Sequence, residues 1–387
     1  MNYKSIFNLL GILLGIFSLS FIPPLTLTFI YNESGSEIFL YSFIFFSILG
    51  GAIWASTRQQ SLSLNISDGF IITTLFWVVL ACAGSIPFYF YGLDISDAVF
   101  ESVSGITTTG ATTIIGLDNL PKSILLYRQL LQWIGGMGLI VLAVAVMPAL
   151  GIGGGQLYKM ELPGSHGNQK LTPKITDSAK ALWKIYVGLT FICATLYLLS
   201  GMTLFDSIAH SLSTVAGGGF STHDESIGFY NSTLIETVCI IFMLLSAASF
   251  AVHYAVIFGG KPLKYFYDSE FRFFLSVVLL IIIISLIVNI ISNSYTDVFS
   301  AISSTIFHVV SIVTTSGFTT ENFSLWPGFL PYLLLVGAFM GACSQSVGGG
   351  IKAWRVLIMI NQAYKEILKT IHPNAVLTSK IGTKVID

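Results

Sequence analysis

The sequence predicts an all-α integral membrane protein made of repeated units. Each unit is a membrane helix, a re-entrant pore helix and a second membrane helix. Three observations carry that expectation. Of the 387 residues, 54% are hydrophobic and only 10% are charged, against about 25% charged in a soluble globular chain. Eight windows free of charge are long enough to cross a bilayer. One polar pattern, rich in glycine and hydroxyls, returns three times between those windows.

The windows run over 5–32, 38–57, 69–93, 129–158, 185–205, 237–260, 273–296 and 322–351. Each reaches the ~20 residues that a helix needs to cross about 30 Å of hydrocarbon. Lys4 before the first apolar run mimics a secretory signal, but the run is too long for the apolar region of a signal peptide and no A-x-A site follows. It reads as a retained helix. With the N-terminus inside, all but Lys122 and Arg128 of the 18 basic residues fall on the inner side, Lys159, Lys170 and Lys174 among them. That bias places both termini in the cytoplasm, and the immediate surroundings of the spans are lipid. Nothing points to nucleic acid.

Catalytic signatures are missing from the sequence. Cys82, Cys193, Cys239 and Cys343 lie in apolar segments without a CxxC or histidine pairing and read as small buried hydrophobes. The six histidines form no ligand-spaced cluster. No phosphate-binding loop, nucleophile elbow or zinc-protease motif occurs. The sequence therefore reads as that of a protein that is not an enzyme and needs no cofactor.

The repeat is the most informative feature. "DAVFESVSGITTTGATT" (97–113), "DSIAHSLSTVAGGGFST" (206–222) and "STIFHVVSIVTTSGFTT" (304–320) align without a gap. With Gly110, Gly219 and Gly317 in register, Ser104, Ser213 and Ser311 fall six residues earlier. Thr112, Ser221 and Thr319 fall two residues later. Each segment opens with about ten residues able to form a helix too short to span, then turns to glycine, threonine and serine. Backbone of that kind is tolerated at membrane depth only inside protein or beside a water-filled path. Small residues that pack helices together offer the plainer alternative.

Extended backbone with glycine at a fixed place can point successive carbonyls inward and replace an ion's hydration shell. The half-helix before it aims a C-terminal end, worth about −0.5 charge, at the same place. These features favour a monovalent cation. His210 and His308, at equivalent positions, read as packing residues. Asp94, Asp97, Glu101, Asp118, Asp206, Asp224, Glu225, Asp297 and Glu321 either gather cations at the mouth or are solvated loop residues, with Asp97 and Asp206 as candidate helix caps.

These segments, together with "LLQWIGGMGLIVLAVAVMPALGIGGGQLYKMELPG" (130–164), "KLTPKITDSAKALWKIY" (170–186), "GGFSTHDESIGF" (218–229) and "GFTTENFSLWP" (317–327), resemble the membrane subunits of Trk-type potassium uptake systems in the Trk/Ktr/HKT superfamily. The resemblance implies repeats around a pseudo-fourfold pore. Residues 1–60 match two extra N-terminal helices, followed by pore repeats at 68–158, 181–260 and 270–370. A cytoplasmic segment at 371–387 then stands where the family continues into a fourth repeat. It further implies potassium ions as the transported ligand, carried by channel-like conduction or symport. A cytosolic nucleotide-binding regulatory subunit of the TrkA kind and a homodimer are the implied partners.

Carried over position by position, the filter residues are Thr108, Thr109 and Gly110, then Gly217, Gly218 and Gly219, then Thr315, Ser316 and Gly317. The three consecutive glycines of the second repeat suggest a looser strand. "GACSQSVGGGIKAWR" (341–355) matches the family's intramembrane gate, giving Cys343, Ser344, Gln345, Ser346, Gly348, Gly349, Gly350 and Lys352. The residues alone also allow a packing kink there, and ordinary positive-inside anchors at Lys352 and Arg355. Two functional readings follow. One is a pore-forming potassium uptake subunit. The other is a truncated, non-conducting structural or regulatory remnant that needs a fourth repeat or an intact homologue.

Overall fold

The computed structural model describes residues 3–58, 66–150, 175–372, 379–381 and 384–386. It begins with α1 (Tyr3–Ser18), which passes through a 3-10 turn at Leu19–Phe21 into α2 (Ile22–Ile30). Pro23 and Pro24 in the first turn of α2 lack the N–H that a continuous helix would need and favour a fresh start there. α3 (Ser36–Thr57) returns against α1. Phe21 joins the pair to the rest, stacked between Phe46 and Tyr127 with ring centroids 5.9 and 5.7 Å away. These helices lie within residues 1–60.

Three units follow. The first is α4 (Ile66–Tyr91), α5 (Ile95–Ile106) and α6 (Lys122–Leu150). The second is α7 (Ile175–Leu199), α8 (Leu204–Ala216), α9 (Thr233–Ala247) and α10 (Phe250–Ile257). A short α11 (Lys264–Tyr267) leads into the third: α12 (Ser269–Ile291), α13 (Val298–Val313) and α14 (Leu330–Met340), followed by α15 (Ala353–Ile371). Beyond α15, β1 (Ser379–Ile381) and β2 (Lys384–Ile386) pair antiparallel, with Lys380 opposite Val385.

The pore helices α5, α8 and α13 have 12, 13 and 16 residues. At 1.5 Å per residue that is about 18–24 Å, too short to span. Their N-caps are Asp94, Thr203 and Asp297, so Asp97 and Asp206 are not the caps that the sequence suggested. Asp206 instead completes a reciprocal box. Its N–H donates to Thr203 Oγ1 at 3.1 Å, and the Thr203 hydroxyl donates to its carboxylate at 2.7 Å.

Five of the eight windows are single helices long and apolar enough to cross a membrane: Tyr3–Ile30, Ser36–Thr57, Ser67–Tyr91, Lys180–Leu199 and Ser269–Ile291. On α12 the buried residues Phe271, Phe274, Val278, Ile281 and Ser285 make one stripe, while Leu279, Leu280, Ile283 and Ile287 stand exposed as a lipid-facing side. α6, 29 residues long, covers the described part of the fourth window. Residues 151–158 and the inner-loop lysines Lys159, Lys170 and Lys174 lie outside the described residues.

Two windows differ from expectation. The sixth, 237–260, is broken into α9 and α10 at 103°, because the backbone bonds at the break leave the helix. Phe250 N–H donates to Gln345 O at 2.9 Å, and Ala247 O accepts from Cys343 N–H at 3.0 Å. Ser249 takes over as the cap of α10. The eighth, 322–351, holds only the 11 residues of α14 before the chain leaves the helix. Both breaks meet at the same loop.

Candidate functional site: three strands and the loop beside them

The pore helices end against α6 because α6 carries glycine where they arrive. A Cβ on Gly135 would lie 2.0 Å from Ile106 O, the end of α5, and one on Gly136 would lie 3.1 Å from Ala216 Cα, the end of α8. At Gly135 no other residue permits that approach, and at Gly136 a side chain would crowd it.

Past each helix the chain makes the same turn. The N–H of Thr109, Gly218 and Ser316 donates to the carbonyl five residues back, on Ser104, Ser213 and Ser311, at 2.9, 3.1 and 2.9 Å. The left-handed positions recur as well: Thr108 (φ 54°) and Gly110 (78°), Gly217 (64°) and Gly219 (75°), Thr315 (62°) and Gly317 (83°). The residues between them, Thr109, Gly218 and Ser316, do not share the positive φ. Such alternation turns successive carbonyls to one side, whereas an ordinary strand points them to opposite sides. Two of these six positions are β-branched, where positive φ is costly. Strain kept at equivalent places is a mark of a functional site.

The strands touch in sequence, the first against the second and the second against the third. A Cβ on Gly110 would lie 1.9 Å from Gly218 O, and one on Gly219 would lie 1.9 Å from Ser316 O. Gly110 and Gly219 therefore each meet the residue before the filter glycine of the next unit. At Gly317 a Cβ would meet no described atom within 4 Å. All nine predicted filter residues are brought together by this arrangement.

Side chains hold the strands from behind. Ser104 Oγ donates to Ala111 O at 2.5 Å, and Ser311 Oγ to Phe318 O at 2.6 Å. Thr107 and Thr109 share a hydroxyl bond of 2.8 Å, and Thr314 and Ser316 one of 3.0 Å. The second strand has Ala216 and Gly218 at those places. Gln132 of α6 replaces the missing hydroxyls, donating to Gly218 O at 2.7 Å and accepting from Ser213 Oγ at 2.6 Å and Phe220 N–H at 3.1 Å. The second strand is thus pinned and not loosened. Sequence reasoning missed Gln132, although a glutamine inside a charge-free window was a signal.

The loop 341–352 lies against the ends of the second and third strands. Gly349 N–H donates to Thr315 Oγ1 at 2.6 Å, and Val347 and Gly348 approach Gly217. Glu270, at the start of α12, anchors the loop. Its carboxylate takes the Ser344 N–H, the Ser344 hydroxyl at 2.7 Å and the Trp354 N–H at 3.2 Å. Ser346 Oγ donates to Cys343 O at 2.6 Å. The Lys352 ammonium donates to the carbonyls of Ser346 and Gly348, so it is folded into the loop instead of reaching away from it as a free anchor. Cys193, Cys239 and Cys343 are buried as expected, but Cys82 is exposed, on α4.

Most acids of the mouth have structural partners. Glu101 is fully buried against Arg128, which rules out the solvated-loop alternative for that carboxylate. Asp224 accepts from Gly116 and Leu117 N–H at 3.1 Å each. Glu321 accepts from Tyr295, Ser304 and, at 3.1 Å, Trp326. Asp118 pairs with His223, and that hydrogen bond holds its carboxyl below the usual carboxylate range.

Residues 35–387 match the TrkH family, described as a cation transport protein. The chain belongs to the TrkH family. It is 45% identical over 387 residues to the Trk system potassium uptake protein TrkH of Vibrio parahaemolyticus, covering 99% of this chain and 80% of that protein. It is 44% identical to its namesake in Escherichia coli K12, covering 100% and 80%, and 40% identical to the potassium uptake protein TrkG of that strain, again covering 100% and 80%. The crystal structure of the potassium transporter TrkH from Vibrio parahaemolyticus superposes with a TM-score of 0.89 at 43% identity, over 100% of this chain and 80% of that one. The fold is that of this family: an all-α membrane protein of repeated pore units around a pseudo-fourfold axis.

Proposed function

We propose that this protein is the pore-forming subunit of a Trk-type system and carries potassium ions inward across the inner membrane. The observation that carries the reading is the threefold recurrence of left-handed backbone at Thr108/Gly110, Gly217/Gly219 and Thr315/Gly317, with neighbouring strands in contact. Carbonyls turned to one side in each strand supply uncharged oxygen ligands that replace the water of a monovalent cation. The membrane potential supplies about 2.3 kcal/mol per charge per 100 mV, so roughly 150 mV sustains on the order of 300-fold accumulation.

The loop carrying Cys343, Ser344, Gln345, Ser346, Gly348, Gly349, Gly350 and Lys352 serves as the gate in this reading, since it abuts Thr315 and Gly217. The units are taken as 1–60, 68–158, 181–260 and 270–370, with both termini cytoplasmic. α15 leaves the gate with an apolar face, Lys365 half-buried and Lys369 exposed, a suitable lever for a cytosolic nucleotide-binding regulator. As a carrier of ions the protein needs no cofactor, and a second copy completes the assembly.

The test is rubidium and sodium uptake by the purified protein in vesicles, beside Gly219→Ser. The wild type should favour rubidium strongly. The variant should lose about ten-fold or more of that preference, because any Cβ at 219 collides with Ser316 O at a φ that non-glycine residues avoid. Equal uptake of both ions by the wild type, or unchanged preference in the variant, would count against the filter.

A further inference from the structure

Nine residues before each filter glycine stands a polar side chain buried in the pore helix: Glu101, His210 and His308. Each reaches forward to the segment just past the filter. Glu101 accepts from the Thr112 hydroxyl and from Thr113 N–H at 2.8 Å. His210 Nε2 lies 2.9 Å from Ser221 Oγ. His308 Nε2 lies 3.3 Å from Thr320 N and 3.2 Å from Glu321 O.

Only the first of these braces is an ion pair, and among the described hydrogen bonds of the three it alone reaches a second strand. Arg128 of α6 donates through Nε to Glu101 at 3.1 Å and through Nη2 to Thr112 Oγ1 at 3.0 Å. Its Nη1 crosses to Ser221 O at 3.2 Å, and its guanidinium lies 4.1 Å from the Phe220 ring centroid. Both side chains of the ion pair are wholly buried. Thr112 and Ser221 occupy the same place in their strands, two residues past the filter glycine. One planar fork therefore spans the gap between strands one and two at matching height.

Stability is a weak reason to keep such a pair. Desolvating two charges costs about as much as their attraction returns, and well-packed apolar residues of similar size do as well or better. What apolar residues cannot supply is a rigid donor fork with fixed spacing. We infer that the Glu101–Arg128 pair is a specificity-determining clamp, which sets the distance between the first two filter strands and thereby discriminates potassium from the smaller sodium ion. This inference rests on the transport reading above.

The experiment compares rubidium and sodium uptake by vesicles holding the wild type, Glu101→Gln, Thr112→Val and the uncharged double variant Glu101→Leu/Arg128→Met. Monodispersity and thermal midpoint are measured on each. The charge-assisted bonds at Glu101 predict a fall in rubidium preference on the order of ten-fold for Glu101→Gln. Thr112→Val, nearly isosteric and expected to fold, should fall in the same direction by less. The double variant leaves neither charge of the pair behind, so a lost preference there is not the effect of an unpaired buried charge. Arg128→Lys, which keeps the charge and loses the fork, should resemble the double variant and not the wild type. A selective wild type with an equally selective, folded Thr112→Val and double variant overturns the clamp alone. A wild type that moves neither ion overturns the transport reading and the clamp with it.

Discussion

The first and second filter strands share a backbone and almost nothing else. Both have left-handed residues at the filter glycine and two places before it, and both close the turn with the same backbone bond. The first is held by hydroxyls of its own segment, Ser104, Thr107 and Thr109, and the third repeats that scheme with Ser311, Thr314 and Ser316. The second has given up two of those hydroxyls and is held by the amide of Gln132, which comes from the preceding unit. The left-handed backbone pattern is thus the property that every strand keeps. The means of holding it varies, and can be local or borrowed.

Breaking the borrowed brace should have the largest effect on this comparison. Gln132→Leu leaves Gly218 O, Ser213 Oγ and Phe220 N–H without their partner in a buried place. At about 1–3 kcal/mol for each stranded group, the loss is enough to collapse selectivity and lower the thermal midpoint together. Rubidium and sodium uptake and a melting curve measure both. A variant with wild-type preference would show that the second strand needs no external support.

Breaking a local brace should do less. Ser311→Ala removes one bond of 2.6 Å to Phe318 O, and Ser104→Ala its counterpart to Ala111 O. Each should cost about 1 kcal/mol and reduce rubidium preference a few-fold. The strand's own backbone bond remains in each case. If either serine variant proved worse than Gln132→Leu, the contrast between borrowed and local support would be reversed.

The same contrast explains what was legible in the sequence. Window lengths and the gapless repeat announced the membrane class, the pore helices and the nine residues proposed as the filter, since these depend on composition and local spacing. Gln132, Arg128 and Glu270 were not legible as functional residues, because each acts on a segment 74 or more residues away (Glu270 on Ser344, Gln132 on Ser213, Arg128 on Ser221). Only the packing of α6 and α12 brings them there. The break in 237–260 was hidden for a related reason. Its apolar sequence suits a continuous helix, and the bonds that replace the helical ones come from Cys343 and Gln345. Asp97 and Asp206 were misread as caps because a side chain three residues into a helix has the same composition signal as the cap itself.

The smallest expected effect separates the two junctions between strands at the mouth. Units two and three meet through Gly228 N–H on Thr319 O at 3.1 Å and Thr319 N–H on Ser226 Oγ at 3.3 Å, contacts with no titratable group. Units one and two meet through His223, whose ring stacks on Phe229 at 3.5 Å and pairs with Asp118, with Asp206 at 3.7 Å from its other nitrogen. Burial works against the charged ring, but the nearby carboxylates of Asp206 and Asp118 outweigh it, and the His223 pKa is raised. A raised histidine contributes stability that is complete below its unfolded value of about 6.5 and fades as pH climbs through the folded one. Asp118, held low, keeps its part until pH falls through its own folded value, so the loss on the alkaline side belongs to His223. Because Asp118 is 43% exposed, the contribution should be below about 1 kcal/mol. The thermal midpoint should therefore decline slightly from about pH 6 to about pH 9 in the wild type, and His223→Gln should flatten that decline without altering rubidium preference. A decline that persists unchanged in the variant would place the titrating group elsewhere and leave the two junctions equivalent.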